Sequence, residues 1–201
     1  MNRNLFIIIL ILSLPYKVYA SEDILLSPVS INLHNQPSLQ RGAKIFVNNC
    51  MGCHTLKYQR YSKLINPLGM PKEMIEKNLI FTTDEHGKPT KIGSLMINSV
   101  DVDSSKEAFG VAPPDLSLIA RSRGPDWVYT FLLSFYKDDT RPLGVNNSLY
   151  PNVSMPHVLW WMEGIKEPVG NNLGEYKYIV VGSLNEKEYE QSITDLVNFL
   201  T

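Results

Sequence analysis

Hydrophobic residues recur at helical spacing in five short stretches of this chain. In the stretch SLQRGAKIFVNNC, residues 38–50, Leu39 and Phe46 fall on one face, and Ser38 is placed to cap the helix. The helix with the clearest apolar face begins with Pro125 in its first turn. This helix covers residues 124–137. The other three predicted helices cover residues 70–81, 115–124 and 185–201.

Long connections rich in proline, glycine and polar residues join these helices. Residues 82–107 and 137–156 show no apolar period and are predicted as loops, and residues 174–184 as a short strand. The sequence therefore predicts a mainly α fold with little strand. A structureless loop of about twenty residues is unusual inside a compact domain, so we expect a large rigid cofactor to order these connections.

The N-terminal segment is typical of a secretory signal peptide. Arg3 precedes an apolar run over residues 5–14, and Ala20 supplies the small residue of a cleavage site. The run is shorter than the roughly 20 apolar residues of a membrane span, although an N-terminal membrane anchor is the alternative. We predict that residues 1–20 are cleaved and that residues 21–201 form one exported domain.

The charge balance argues against one class of function. Loss of Arg3 and Lys17 with the signal peptide lowers the basic count from 19 to 17, against 20 acidic residues, a net charge of −3. Nucleic-acid-binding domains carry a basic stripe instead, so we expect no nucleic acid as a partner. The weakly acidic balance suits a basic protein partner.

The two cysteines of the chain stand in one motif, Cys-Met-Gly-Cys-His. This Cys-x-x-Cys-His pattern is the attachment signature of c-type heme. The thiols of Cys50 and Cys53 would form two thioethers with the porphyrin, and His54 would be an axial ligand of the iron. Covalent heme c is therefore the predicted cofactor.

Three other uses of the cysteine pair explain the pattern less well. A disulfide between Cys50 and Cys53 would close a very small loop and add little stability. A thioredoxin-like pair needs the first cysteine at a helix start, whereas Cys50 falls at a predicted helix end. A closed zinc site needs four ligands, and the sequence has no second cysteine pair.

Methionine is the expected second axial ligand in an electron carrier, because a thioether favours the reduced iron. Met155 lies between two prolines in the loop YPNVSMPHV, where no apolar period explains it. Met70 and Met96 are the competitors, and a methionine in a loop is often only a flexible filler. His157 offers a bis-histidine alternative, but we favour a supporting role for it.

Five segments of the sequence resemble cytochrome c1, the heme subunit of the cytochrome bc1 complex, in its bacterial form. They are RGAKIFVNNCMGCHTLKYQRYSKL, NLIFTT, APPDLSLIARSRGPDWVYTFLLSFYKDDTRPLGVNN, YPNVSMPHVLWWMEG and ITDLVNFLT. The first four cover most of residues 41–164. The resemblance implies a cytochrome c-like helical heme domain, and it places the family's ligand methionine at Met155.

Further heme contacts are expected around the segment APPDLSLIARSRGPDW. A guanidinium group suits a heme propionate, and the resemblance assigns that contact to Arg121, with Arg123 as a second candidate. The alternative is a solvated arginine at a helix end. By resemblance, Pro113 and Pro114 pack at the heme edge; the alternative is that they only start a helix. Trp127 and Tyr129 are candidates for the heme wall; the alternative is that they belong to the core.

The resemblance implies a one-electron carrier that is not catalytic alone. It would take electrons from the Rieske iron–sulfur protein and pass them to a cytochrome c, within a dimeric membrane complex that includes cytochrome b. We expect this complex at the periplasmic face of the bacterial inner membrane. The alternatives are an independent exported c-type carrier, and a heme enzyme or sensor with an open axial position.

One feature departs from the family pattern. The family continues after its last helix into a transmembrane anchor, whereas this sequence stops at Thr201. The charged residues of 185–201 exclude a span within that segment.

Overall fold

Eight helices and six strands make up the part of the chain that the structure describes. This computed structural model describes residues 25–84, 86–170 and 172–201, so the predicted signal peptide, residues 1–20, lies outside it. The helices are α1 (Gln36–Ile45), α2 (Ile65–Leu68), α3 (Lys72–Leu79), α4 (Val102–Phe109), α5 (Ile119–Arg123), α6 (Pro125–Leu133), α7 (Trp160–Glu163) and α8 (Glu186–Leu200). A π-helical turn, Phe46–Cys50, continues α1, and a 3-10 turn, Tyr61–Leu64, precedes α2.

The strands form three separate two-stranded antiparallel sheets. They are β1 (Leu56–Arg60) with β2 (Leu95–Met96), β3 (Phe135–Lys137) with β4 (Val145–Asn147), and β5 (Gly164–Val169) with β6 (Asn172–Val181). The prediction of little strand therefore needs correction, although β6 overlaps the one strand that was predicted, over residues 174–181. Most of the other strands are too short to show a period of two in the sequence.

The helix predicted over residues 124–137 ends earlier, at Leu133. The buried Asn147 explains the difference, because its side-chain amide donates to the carbonyl of Phe131, 2.8 Å away, in the last turn of α6. Phe135 then pairs with Asn147 as the first residue of β3. A contact between residues so far apart in the sequence leaves no local signal.

Local side-chain hydrogen bonds also move three other predicted boundaries. Asn35, rather than Ser38, caps α1 by accepting from the Ser38 amide at 3.2 Å. Asp101 caps α4, most of which falls in the predicted loop of residues 82–107. Asp115 accepts from the Ser117 amide, so α5 begins only at Ile119. Such short polar side chains compete with the backbone for its hydrogen bonds.

The core is built where α1 crosses α8. Their buried residues include Ala43, Ile193 and Val197, each 0% exposed. Asp195 on α8 is also buried and binds α1, accepting from Ser38 Oγ at 2.7 Å and from Arg41 Nη2 at 3.0 Å. This crossing fixes the direction of α1, and with it the start of the Cys-x-x-Cys-His motif.

Within the described ranges, no helix combines the length and the apolar character needed to cross a lipid bilayer.

The crossing of α1 and α8 requires a glycine on α1. A Cβ atom at position 42 would lie 2.0 Å from the carbonyl oxygen of Asp195. We expect Gly42→Ala to destabilise the protein by about 1–3 kcal/mol through overpacking, which outweighs the better helix propensity of alanine. Urea unfolding of Gly42→Ala measures this loss. Gly93→Ala is the control, because no atom lies within 4 Å of its Cβ position, and an equal loss in both variants would contradict the account.

Candidate functional site

The two cysteines lie at the tight turn that ends α1. The amides of Cys53 and His54 both donate to the carbonyl of Cys50, at 3.0 and 2.8 Å. Asn98 holds the same turn from outside, because its side-chain amide donates to the carbonyl of Met51 at 2.9 Å. No disulfide joins the two thiols. The side chains of Cys50, Cys53 and His54 all line one cavity.

The imidazole of His54 is fixed in one tautomer by a backbone carbonyl. Its Nδ1 lies 2.7 Å from the carbonyl oxygen of Pro114. A carbonyl only accepts, so Nδ1 carries the hydrogen and Nε2 keeps its lone pair. Burial lowers the pKa of His54, although the Pro114 contact and the Asp115 carboxylate oppose this effect. The ring is therefore neutral at pH 7 and suited to bind a metal through Nε2.

The segment after His54 is clamped to the segment after Pro114. Leu116 donates its amide to the carbonyl of Thr55 at 2.8 Å. Asp115 accepts from Thr55 Oγ1 at 2.6 Å and from the Lys57 amide at 2.7 Å. Burial alone would raise the pKa of Asp115, but these two hydrogen bonds and those from Ser117 outweigh it and lower the pKa. The ionised carboxylate thus holds the two segments together.

The cavity beside the motif has a volume of about 320 Å³, within the range typical of ligand pockets. Its walls are mainly apolar and come from the motif, α5, α6, α8 and the loops between them. The side chains that line it are Asn49, Cys50, Cys53, His54, Phe109, Val111, Pro113, Pro114, Leu116, Ile119, Arg123, Trp127, Val128, Phe131, Leu132, Tyr150, Val153, Ser154, Met155, Pro156, Val158, Leu196 and Leu200.

Of the methionines in the described ranges, Met155 is the one that lines this cavity. Met96 is fully buried in the core and Met70 packs against that core, so neither competitor reaches the cavity. Cys50 and Met155, more than one hundred positions apart in the sequence, thus face the same space.

Two asparagine side chains order the loop that carries Met155. Asn146 Oδ1 accepts from the amide of Asn152 at 2.8 Å. Asn147 Oδ1 accepts from the amides of Leu149 and Tyr150, both at 3.0 Å. Both asparagines are buried. We expected a cofactor to order this loop. The side chains of Asn146 and Asn147 already supply hydrogen bonds to the loop backbone.

His157 lies outside the cavity. Its ring is stacked on Phe135, with centroids 5.0 Å apart, and its Nε2 lies 2.8 Å from Oε2 of Glu163. This position agrees with the supporting role that we favoured and not with the bis-histidine alternative.

The remaining candidates divide into two groups. Pro113, Pro114, Arg123 and Trp127 line the cavity, and the guanidinium of Arg123 lies 5.1 Å from the centre of a Trp127 ring. Arg121 is exposed and does not line the cavity.

Tyr129 is buried in the core, and not in the cavity wall. Burial and the nearby Glu190 raise the pKa of Tyr129, and a hydrogen bond with Thr194 opposes them. Glu190 and Thr194 both lie on α8, so the hydroxyl of Tyr129 faces that helix.

Sequence reasoning missed several wall residues, among them Phe109, Leu196 and Leu200. Leu196 and Leu200 belong to a helical apolar face, and that pattern is the same for a helix that packs on protein and for one that lines a cavity. Phe109 lies just beyond the predicted loop of residues 82–107, in a stretch to which no element was assigned.

The cysteine pair does not have the electrostatics of a redox-active dithiol. Burial, and secondarily the charge of Cys53, raises the pKa of Cys50 to about 12. Redox-active pairs instead lower the pKa of their first thiol. In the described ranges, no three His, Cys, Asp or Glu side chains are grouped to hold a metal ion.

An apolar cavity flanked by two thiols, a neutral imidazole and a thioether is typical of a protein that binds a large metal-containing prosthetic group. The comparisons with known proteins agree with this class. The Cytochrome C1 family matches residues 29–201, and the chain therefore belongs to the cytochrome c1 family.

Three relatives illustrate the similarity. Cytochrome c1 of Allochromatium vinosum is 45% identical over 185 residues, 88% of this chain and 73% of that protein. The ammonia monooxygenase gamma subunit of Nitrosomonas europaea is 37% identical over 198 residues, 97% of this chain and 80% of that protein. Cytochrome c1 of Rhodospirillum rubrum is 32% identical over 118 residues, 52% and 43% of the two chains.

Membership of the family implies a heme cofactor. The residues of the cavity fit such a group, because apolar walls suit a porphyrin and His54 Nε2 keeps a lone pair for a metal.

The clamp at Asp115 predicts an acid-dependent loss of stability. The folded pKa of Asp115 is lowered, so its ionised form stabilises the fold above the unfolded value of about 3.9 and loses that effect as pH falls through the folded pKa. We expect Asp115→Asn to lower the urea midpoint at pH 7, and the deficit to shrink below about pH 4.

Glu107→Gln, which changes an exposed carboxylate, is the control and should leave the midpoint nearly unchanged. A deficit of Asp115→Asn that stays constant from pH 7 to pH 3 would contradict the assigned role.

Proposed function

We propose that this chain is a one-electron carrier with one covalently attached heme c. The thiols of Cys50 and Cys53 form the thioethers, and His54 and Met155 are the axial ligands. The observation that carries this proposal is the convergence of these four side chains on one apolar cavity. The tautomer of His54 supports it further, because Nε2 is the nitrogen that keeps a lone pair.

The bound heme supplies the redox chemistry, by cycling between ferrous and ferric iron. The residues of the chain control its surroundings. The carbonyl of Pro114 orients the His54 ring, and the apolar wall, which includes Val128, Phe131 and Leu196, keeps water away. With His54 and Met155 both offered to the metal, the chain would leave no position open for a substrate.

The arginines are proposed to bind the heme propionates. Arg123 lines the cavity and is the better placed of the two. Both arginines are exposed, and Arg121, which does not line the cavity, keeps the role that the family resemblance assigns to it as a weaker proposal.

We further propose that the chain works within a cytochrome bc1 complex. The Rieske iron–sulfur protein would donate the electron and a cytochrome c would accept it, with cytochrome b in the same dimeric complex. Cleavage of residues 1–20 would place residues 21–201 at the periplasmic face of the membrane. The family match and the relatives that are named cytochrome c1 support this setting.

Replacement of Met155 tests the ligation and separates the proposal from a sensor with an open axial site. We expect Met155→Leu to lower the reduction potential and to let the ferrous heme bind carbon monoxide, since leucine offers no sulfur to the iron. A redox titration and a CO difference spectrum measure these two effects.

Met162→Leu is the matched control, because Met162 is buried in the core and does not line the cavity. It should keep the potential of the unmodified protein. An unchanged potential in Met155→Leu, or ready CO binding by the unmodified protein, would refute Met155 as the ligand.

A further inference from the structure

A buried network of titratable side chains begins on the loop that carries Met155. Its members are His157, Glu163 and Lys166, with side chains only 8%, 3% and 12% exposed. Glu163 is the centre, since its Oε2 lies 2.8 Å from His157 Nε2 and its Oε1 lies 2.5 Å from Lys166 Nζ. None of the three lines the heme cavity.

The contact between His157 and Glu163 is a close polar approach rather than an aligned hydrogen bond. Nε2 and Oε2 are close, but their angle falls outside hydrogen-bond geometry, and neither atom has another partner. Glu163 therefore holds the ring from one edge, while Phe135 covers its face at 5.0 Å.

Glu163 also connects the Met155 loop to the elements around the cavity. Lys166, on β5, donates to the carbonyl of Leu133 at 2.7 Å, at the end of α6. The hydroxyl of Tyr189, on α8, lies beside the Glu163 carboxylate and donates to the carbonyl of Leu132 at 3.3 Å. Both α6 and α8 supply cavity walls, so the carboxylate ties the loop to two of them.

Such a network is costly, and stability alone does not explain it. Buried ion pairs often contribute less than well-packed apolar residues of the same volume, because desolvation offsets the attraction. The polar contacts of this one meet at Glu163, and one of its two partners is His157, two residues beyond Met155. Upstream of Met155 the loop is held by Asn146 and Asn147, and downstream His157 is the residue that enters the network.

We propose that Glu163 is a positioning residue for Met155, which it holds toward the heme through His157 without touching the heme itself. This inference rests on the proposed ligation by Met155. Loss of the Glu163 carboxylate would release the downstream anchor of the loop. A larger fraction of molecules would then have Met155 away from the iron.

The test uses the heme-loaded full chain with Glu163→Gln. We expect the ferrous variant to bind carbon monoxide with an apparent affinity about tenfold higher than the unmodified protein, because the fraction with an open axial position rises. Its reduction potential should move toward that of Met155→Leu. A purely structural role would lower the urea midpoint and leave both readouts unchanged.

Glu167→Gln is the matched control. Glu167 lies on the same strand and also pairs with a lysine, Lys177 at 3.0 Å, but this pair is more exposed. It should keep the CO affinity and the potential of the unmodified protein. If Glu163→Gln does not fold because Lys166 is left unpaired, Glu163→Gln with Lys166→Met removes both charges and should give the same shifts.

The outcomes separate this inference from the proposed function. If Met155→Leu differs from the unmodified protein but a folded Glu163 variant does not, the positioning role is wrong and the ligation stands. If Met155→Leu itself changes nothing, the ligation is wrong and the positioning role falls with it. CO-affinity and potential shifts in Glu163→Gln that are absent in Glu167→Gln support both.

Discussion

A hydrogen bond of 2.7 Å between His54 Nδ1 and the carbonyl of Pro114 joins two segments that lie 60 residues apart. It sets the tautomer of the ring, and through Asp115 the same contact region anchors the strand that follows the motif. A single neutral hydrogen bond contributes only about 1 kcal/mol to stability. Its importance here is orientation, because it leaves Nε2 as the nitrogen available to a metal on the side of the cavity.

Around that ring the protein separates apolar and polar surroundings. The cavity wall is mainly apolar, whereas the loop that carries Met155 is folded by the side chains of Asn146 and Asn147. Behind this loop lies the buried carboxylate of Glu163. In our account the apolar side tunes the heme, and the polar side keeps the flexible methionine in place.

The sequence identified the chemistry better than it identified the architecture. The motif Cys50 to His54 is local, so its meaning is readable without a structure, and the long amphipathic helices at both ends were located correctly. Two of the three sheets were missed, since three of their four strands, β2, β3 and β4, have only two or three residues each. The anchoring roles of Asn147 and Glu163 depend on contacts between distant segments, for which a single sequence has no pattern.

The reduced-minus-oxidised absorption spectrum of the purified protein, recorded with and without carbon monoxide, tests the central claim most directly. Ligation by His54 and Met155 predicts the spectrum of one c-type heme per chain, with no change on adding carbon monoxide. A protein without covalent heme, or a ferrous spectrum that carbon monoxide readily alters, would contradict the account.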